Sequence, residues 1–219
     1  MIRRVASELK IIGMNFFILS AAFSSALIVF SAVAGELLDF YPVAFEVIFP
    51  FFTTIAVGEW GKTRADSNFD IIAAQSSSLF RWVLLRYAIT FGTSSVFAVF
   101  CMALSSAFRY EFPLWELFIV YFPPAFFLSS FCALVGICFT GEHVATLSCG
   151  LVWLIVLLTR SLLRIPGAEY IYLFIRYAQG ETSVWLWNKC IVTVSGFFIW
   201  GILYAGCIDS KRRLSYDGR

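Results

Sequence analysis

Residues 56–63 read Ala-Val-Gly-Glu-Trp-Gly-Lys-Thr and fit a loose phosphate-loop pattern of Ala or Gly, any four residues, then Gly-Lys-Thr. A working phosphate loop follows a β-strand and opens a helix, so that backbone N–H groups surround the phosphates. Here the match follows the apolar residues 51–56, which are typical of a membrane helix, and Glu59 places a carboxylate where phosphate would lie. We therefore predict no nucleotide site here, and Lys62 and Arg64 are basic residues at a helix end.

Glu46 is the most unusual acidic residue, because it lies about two turns inside an apolar segment. A charge at membrane depth costs a few kcal/mol or more unless it is paired or hydrated. One interpretation is a functional carboxylate that faces a polar path. The other is a structural group that pairs with Arg160, Arg164 or Lys189, or that is neutral by protonation.

Glu142 and His143 form the other notable polar pair, in a short loop between apolar segments. His143 is the only histidine, so neither a Ser-His-Asp triad beside it nor a histidine-based metal cluster is predicted. The six cysteines lie in apolar runs and no two form a Cys-x-x-Cys pair, which is typical of packing residues. The sequence predicts no catalytic residues and no metal site, and it leaves a solvated loop or a partner contact open for Glu142 and His143.

The amino-acid composition indicates whether these residues lie in a water-soluble domain or in a membrane. Hydrophobic residues make up 60% of the 219-residue chain and charged residues 14%, whereas soluble domains contain about 25% charged residues. The mean hydropathy is +0.84. The net charge of +2 gives no case for nucleic-acid binding. We predict an all-α integral membrane protein with a single transmembrane domain over residues 1–219.

Apolar segments predict six transmembrane helices, the fifth of them short for the roughly 30 Å hydrocarbon core. Their approximate bounds are 11–34, 40–57, 82–108, 114–140, 144–159 and 184–207. Residues 1–34 imitate a signal peptide, but the apolar run is too long for one.

Basic residues predict the orientation, because Lys and Arg concentrate on the cytoplasmic side. A cytoplasmic N-terminus places eleven of the 16 Lys and Arg residues inside, and the C-terminus is then cytoplasmic too. Residues 58–81 become a cytoplasmic segment and residues 160–183 an external one. The short fifth segment, followed by Pro166-Gly167 and an amphipathic stretch, predicts a broken or re-entrant fifth helix with an external amphipathic segment.

The cytoplasmic segment has helical spacing of apolar residues around 69–73, a Ser-rich break at 76–78 and a second helix start at 79–86. An apolar-faced helix at this surface packs on lipid headgroups or docks into a groove of a partner.

The run from Glu59-Trp-Gly-Lys62 through residues 69–75 to residues 79–86, together with the layout of six crossings, resembles the coupling region of ABC-2 type transporter permeases. That family usually has a proline at the break, where this chain has three serines. The resemblance implies a permease subunit of an ATP-driven exporter in the plasma membrane, moving a hydrophobic or amphipathic peptide, lipid or drug. It further implies a separate soluble ABC ATPase that binds ATP and Mg²⁺, a second permease copy or paralogue, and no enzyme activity or cofactor in this chain.

The resemblance also assigns residues to roles. The expected contacts with the ATPase subunit are Glu59, Phe69, Asp70, Ile72, Gln75, Leu79 and Arg81. Glu142 and His143 are a possible second contact, and Glu46 is a possible gate or translocation-path residue. The alternative function is a non-transporting membrane protein that binds a partner, such as an immunity or assembly factor. An integral membrane enzyme is disfavoured, because Glu46 stands nearly alone at membrane depth.

Overall fold

The computed structural model describes residues 14–34, 43–62, 79–109 and 113–217, and this part of the chain is helical with no β-strand. The helices are α1 (Met14–Ala34), α2 (a π-helical turn Val43–Ile48 continued by Phe49–Trp60), α3 (Leu79–Arg109), α4 (Leu114–Cys138), α5 (Val144–Leu158), α6 (Ile175–Gln179) and α7 (Trp185–Asp217). Two 3₁₀ turns, Thr159–Arg164 and Ala168–Tyr170, lie between α5 and α6.

Five helices in the described part of the chain are long and apolar enough to cross a membrane. They are Val43–Trp60, Leu79–Ala107, Leu114–Cys138, Val144–Arg164 and Trp185–Cys207. In α1 the apolar stretch Met14–Val29 is shorter. The predicted multi-pass helical membrane protein is thus confirmed, whereas the sixth crossing stays a prediction.

The bundle has two ends, which we call the Glu46 end and the Glu59 end after the two acidic residues of α2. At the Glu59 end, α3 begins close to the exit of α2, because Arg86 donates a hydrogen bond to the carbonyl oxygen of Lys62. The N-terminal part of α1 also lies at this end, where the rings of Phe16 and Trp60 are 5.1 Å apart.

Helices α2 and α4 form the centre of the bundle, with 67% and 61% of their membrane-spanning windows buried by the protein. Helix α4 packs most extensively against α7 and α2. For α5 the buried share is only 6%, so this helix lies on the surface of the bundle. A surface helix in a membrane protein presents its apolar side chains to lipid or to another membrane chain.

Hydrogen bonds between side chains join the central helices at depth. The hydroxyl of Tyr121 on α4 lies 3.0 Å from both Thr53 Oγ1 on α2 and Ser95 Oγ on α3. The Tyr87 hydroxyl lies 2.9 Å from Ser129 Oγ. These polar groups have no water to bind inside a bilayer, so pairing them with each other stabilises the helix contacts.

Several observed helix ends differ from the predicted bounds, including the start of α3 at Leu79 instead of residue 82. Helix α2 continues to Trp60 instead of ending at residue 57, and Gly58 in this last turn packs closely on α5: a Cβ at Gly58 would lie 2.4 Å from Thr146 Oγ1. The fifth span continues to Arg164 through the 3₁₀ turn and reaches 21 residues, so it is not too short to cross. Helix α7 continues beyond Cys207 to Asp217. Residues 63–78 of the predicted coupling segment lie outside the described residues.

The contact between α4 and α7 depends on Gly196. A Cβ there would lie 2.6 Å from Cδ1 of Phe126, whose ring is stacked on Phe122 and cannot move without disturbing it. Small residues at helix contacts let backbones approach closely in membranes.

We predict that Gly196→Ala destabilises the protein by about 1–3 kcal/mol, the usual range for overpacking. Gly201→Ala on the same helix is the matched control, because nothing lies within 4 Å of a Cβ at that position. Thermal unfolding of both purified variants in one detergent checks the prediction. Equal melting temperatures for the two variants would contradict it.

Candidate functional site

The first turn of α2 carries Glu46 into the bundle. Pro50 has no N–H, and in a regular α-helix its ring would clash with the carbonyl of Glu46, four residues earlier. The chain forms a π-helical turn there, Val43–Ile48. The carbonyl of Val47 in this turn accepts a hydrogen bond of 3.0 Å from Trp153 Nε1 on α5. The side chain of Glu46 is fully buried.

The Glu46 carboxylate binds three donors. Oε1 accepts from the ammonium group of Lys189 on α7 and, at 3.2 Å, from the backbone N–H of Arg176, and Oε2 accepts from the backbone N–H of Tyr177. Both N–H groups belong to the first turn of α6, where Phe174 at the cap position provides no side-chain hydrogen bond. Glu46 therefore caps α6 from another helix, and its charge is favourable beside a helix N-terminus.

Helix α7 binds the carbonyl groups of the same region, residues 165–184, which we call the hairpin segment. Asn188 Nδ2 donates to the carbonyl oxygens of Glu169 and Tyr172, both at 2.8 Å. Lys189 also donates to the carbonyl oxygen of Leu173 at 3.4 Å. Irregular backbone is tolerated at membrane depth only where the protein satisfies its polar groups, and α2 and α7 do so here.

A second ion pair lies beside the first. The guanidinium group of Arg176 contacts the carboxylate of Glu116 on α4 and lies 4.9 Å from the centre of the Trp185 ring. The carboxylate of Glu181, which is exposed, lies 4.0 Å away. Within the two pairs, Glu46–Lys189 and Glu116–Arg176, each positive charge contacts a negative one.

The hairpin segment packs into the bundle at the Glu46 end instead of lying along its surface. Residues 172–176 and Ala178 are buried, whereas Ile171 and Tyr177 are exposed. Gly167 and Gly180, on either side of this buried stretch, have positive φ angles of 88° and 74°. These backbone conformations favour glycine and let the chain turn back sharply.

A second group of charged residues lies at the Glu59 end. We call Glu59, Lys62, Glu142, His143 and Thr146 the end cluster. Glu59 Oε1 accepts from Thr146 Oγ1 at 2.7 Å and lies 3.1 Å from His143 Nδ1. Lys62 Nζ lies 3.1 Å from Glu59 Oε2 and 3.2 Å from Glu142 Oε1. The cluster joins the end of α2 to the turn between α4 and α5.

The opposite charges of the end cluster stabilise each other in their charged forms. Partial burial would lower the pKa of Lys62, but the hydrogen bonds from its ammonium group to Glu59 and Glu142 outweigh this effect and raise that pKa above its ordinary value. Glu142 and His143 are exposed. The cluster therefore presents exposed charged side chains at the Glu59 end of the bundle.

The structure brings together some of the predicted site residues. Glu59, Glu142 and His143 form one cluster. Leu79 and Arg81 lie at the start of α3, where Leu79 packs on the apolar core and Arg81 is exposed. The other predicted contacts, Phe69, Asp70, Ile72 and Gln75, lie outside the described residues.

Glu46 pairs with Lys189, which is one of the three basic residues that the sequence offered as a structural partner. Its role as a gate stays a prediction. Sequence reasoning missed Arg176, Glu116 and Asn188 as members of this network. The signal that could have found the charged pair is that Arg176 follows the apolar residues 170–175, where a charge requires a partner.

Within the described ranges, no group of three or more His, Cys, Asp or Glu residues is placed to hold a metal ion. Comparison of the chain with known protein families, characterised proteins and solved structures gives no match in any of the three. The two charged groups and the helices that position them are therefore the features of this chain that bear on its function.

We predict that Lys189→Met destabilises the protein by about 3–5 kcal/mol, because it leaves the Glu46 carboxylate buried and without its ammonium partner. The double variant Glu46→Gln with Lys189→Met recovers much of this loss, since the Gln amide oxygen still accepts an α6 N–H and carries no charge. Thermal unfolding and protease cleavage of the hairpin segment measure both effects. A double variant no more stable than Lys189→Met would contradict the assignment.

We predict that Lys62 stabilises the Glu59 end below about pH 10.4, the ordinary Lys pKa. Because folding raises the pKa of Lys62, its contribution is fully present below that pH and is lost as the pH rises through the folded-state pKa. Wild type should melt slightly above Lys62→Met at neutral pH, and the difference should shrink in strong alkali. Arg81→Met, at the same end, is the control. A difference that stays constant with pH would contradict the prediction.

Proposed function

We propose that this chain is the membrane-spanning permease subunit of an ATP-driven exporter of the ABC-2 type. It works with a separate soluble ATPase and a second permease copy, and moves a hydrophobic or amphipathic substrate across the plasma membrane. The observation that supports this proposal most directly is the end cluster. The resemblance to ABC-2 permeases predicts that Glu59 and His143 both contact the ATPase subunit. Although they are 84 positions apart in the chain, Glu59 Oε1 and His143 Nδ1 lie 3.1 Å apart.

The position of the coupling segment relative to the end cluster also supports a docking surface. Residues 63–78 connect Lys62 to Leu79. Lys62 and Leu79 both lie at the Glu59 end. A partner bound to the exposed Glu142 and His143 would therefore also be near the ends of that segment. In the orientation proposed from the basic residues, with six crossings and cytoplasmic termini, this end faces the cytoplasm.

Helix α2 offers a physical route for coupling between the two ends. It spans Val43–Trp60, 18 residues, and carries Glu59 at one end and Glu46 at the other. An ATPase that moves the Glu59 end shifts α2 as a unit, and this changes the cap that Glu46 provides for α6. On this proposal Glu46 acts as a gate residue at the external end. The translocation path lies between two permease copies, because aromatic side chains such as Tyr121 and Phe49 fill the centre of one bundle.

The alternative is a non-transporting membrane protein that binds a partner, such as an immunity or assembly factor. The complete pairing of Glu46 with Lys189 and α6 favours it, since a static scaffold also needs its buried charges neutralised. The two functions differ in whether an ATPase binds at the Glu59 end.

The test is co-expression of the chain with a soluble ATPase encoded by a neighbouring gene, followed by purification through a tag on the chain. We predict a stable complex that hydrolyses ATP. Glu142→Lys should weaken the complex several-fold, because it reverses an exposed charge of the end cluster. Glu181→Lys is the matched control: its carboxylate is equally exposed, at 73% against 70%, but lies at the opposite end.

Two results would overturn the permease proposal. One is a chain that is stable alone and binds none of the ATPases encoded nearby. The other is an equal effect of Glu142→Lys and Glu181→Lys on the complex, which would remove the end cluster from the interface.

A further inference from the structure

An apolar crevice of about 390 Å³ opens on the outside of the bundle between α4, α5, the hairpin segment and α7. Its floor is formed by the buried residues Tyr172, Leu173 and Val192. This volume lies within the range of about 300–1,000 Å³ that is typical of sites for small ligands.

The mouth of the crevice is also apolar. Leu162, Ile171 and Ile191 line it, and all three are exposed. The crevice is therefore open towards the surroundings of the bundle and closed towards its centre.

The polar atoms of the lining side chains are all engaged within the protein. Three lining side chains carry such atoms: Thr159, Tyr172 and Ser195. Thr159 and Ser195 donate to the carbonyl oxygens four residues before them, at 2.8 and 2.9 Å. The Tyr172 hydroxyl donates to the carbonyl of Val156 at 2.8 Å. A polar ligand would lose its hydrogen bonds to water without replacing them, so the crevice selects a hydrocarbon group.

The crevice lies within one leaflet of the membrane. Its α5 side extends from Val152, near the middle of the span Val144–Arg164, to Leu162, and its α7 side uses the first half of Trp185–Cys207. Both place it at the Glu46 end. Since only 6% of the α5 window is buried, the α5 wall of the crevice lies at the surface of the bundle, where lipid can reach it.

Basic residues lie where the headgroup of a lipid in that leaflet would be. Arg160 and Arg164 belong to the 3₁₀ turn at the end of the α5 span, the same turn that contributes Thr159 and Leu162 to the crevice. Both arginines are exposed. The Arg160 guanidinium group donates one hydrogen bond to the carbonyl oxygen of Ala178, and with five N–H donors it keeps others for a phosphate. Arginine binds phosphate well, and the end of a span is the level of the phosphate groups.

We propose that this crevice is a binding site for one acyl chain of a membrane phospholipid, whose phosphate lies beside Arg160 and Arg164. The exposed face of α5 suits contact with lipid or with a second copy of the chain, whereas the crevice, with its buried floor, accommodates a narrow inserted group. Flexible hydrocarbon chains surround the protein at this depth, and they match the lining. The site is separate from the end cluster, so the inference does not depend on the proposed transport function.

The experiment is photo-crosslinking in lipid nanodiscs made of phosphatidylcholine that includes a small fraction carrying a diazirine on one acyl chain. After illumination, mass spectrometry of peptides maps the adducts. We expect adducts enriched on the lining residues Val156, Leu162, Ile171 and Ile191 relative to Leu154 and Leu158, which are exposed in the same half of the α5 span but do not line the crevice.

Ser195→Phe fills the crevice and should remove this enrichment. Val194→Phe is the matched control, because Val194 is the neighbouring residue on α7, is 66% exposed and does not line the crevice. If Ser195→Phe does not fold, Ala168→Phe fills the crevice from the hairpin segment. Gel filtration of each variant establishes that it is folded and gives its oligomeric state.

Three results would overturn the proposal, and the first needs only the wild-type protein. The first is an even spread of adducts over all exposed positions, which describes ordinary surrounding lipid. The second is an enrichment that Ser195→Phe and Val194→Phe leave equally intact. The third is a lining without adducts in a dimeric protein, which would assign the crevice to a second copy of this chain.

Discussion

A buried ion pair between Glu46 and Lys189 supports the least regular part of this membrane protein. The pair neutralises two charges that would each be costly in lipid, and the carboxylate uses its remaining lone pairs to cap α6. Without that cap, two backbone N–H groups of a very short helix would lie in an apolar interior with no water. Because the carboxylate comes from α2, the ammonium group from α7 and the N–H groups from α6, one interaction fixes the arrangement of three parts of the chain.

The two charged groups share a helix, and this constrains how they can behave. Glu46 and Glu59 are 13 positions apart on α2, roughly 20 Å at the rise of an α-helix. Glu59 contacts the turn between α4 and α5, whereas Glu46 contacts the hairpin segment and α7. Any displacement of α2 therefore disturbs hydrogen bonds at both ends. A helix that is hydrogen-bonded at both ends favours a few discrete positions in the bundle over a continuous range of positions.

The sequence was sufficient to predict a helical membrane protein and the approximate bounds of its helices, because a long apolar segment has few stable structures other than a membrane-spanning helix. It was less informative about helix ends. The last turn of α2 packs at Gly58 against Thr146 of α5, and the fifth span is extended by a 3₁₀ turn; neither feature has a clear sequence pattern. The sequence identified Glu46 and offered Lys189 among three partners, but the choice depends on tertiary contacts. The pairing of Arg176 with Glu116 could not be predicted, because their positions become neighbours only when the hairpin segment folds into the bundle.

The equal and opposite charges at the Glu46 end have a consequence for the response to voltage. Carrying one elementary charge fully across a membrane potential of 100 mV involves about 2.3 kcal/mol of electrical work. Glu46 and Lys189 lie in direct contact, so they move together, and the work done on one cancels the work done on the other. The same holds for Arg176 with Glu116. A movement that carries both partners of each pair together therefore does no net electrical work on these four side chains, so its energy is independent of the membrane potential.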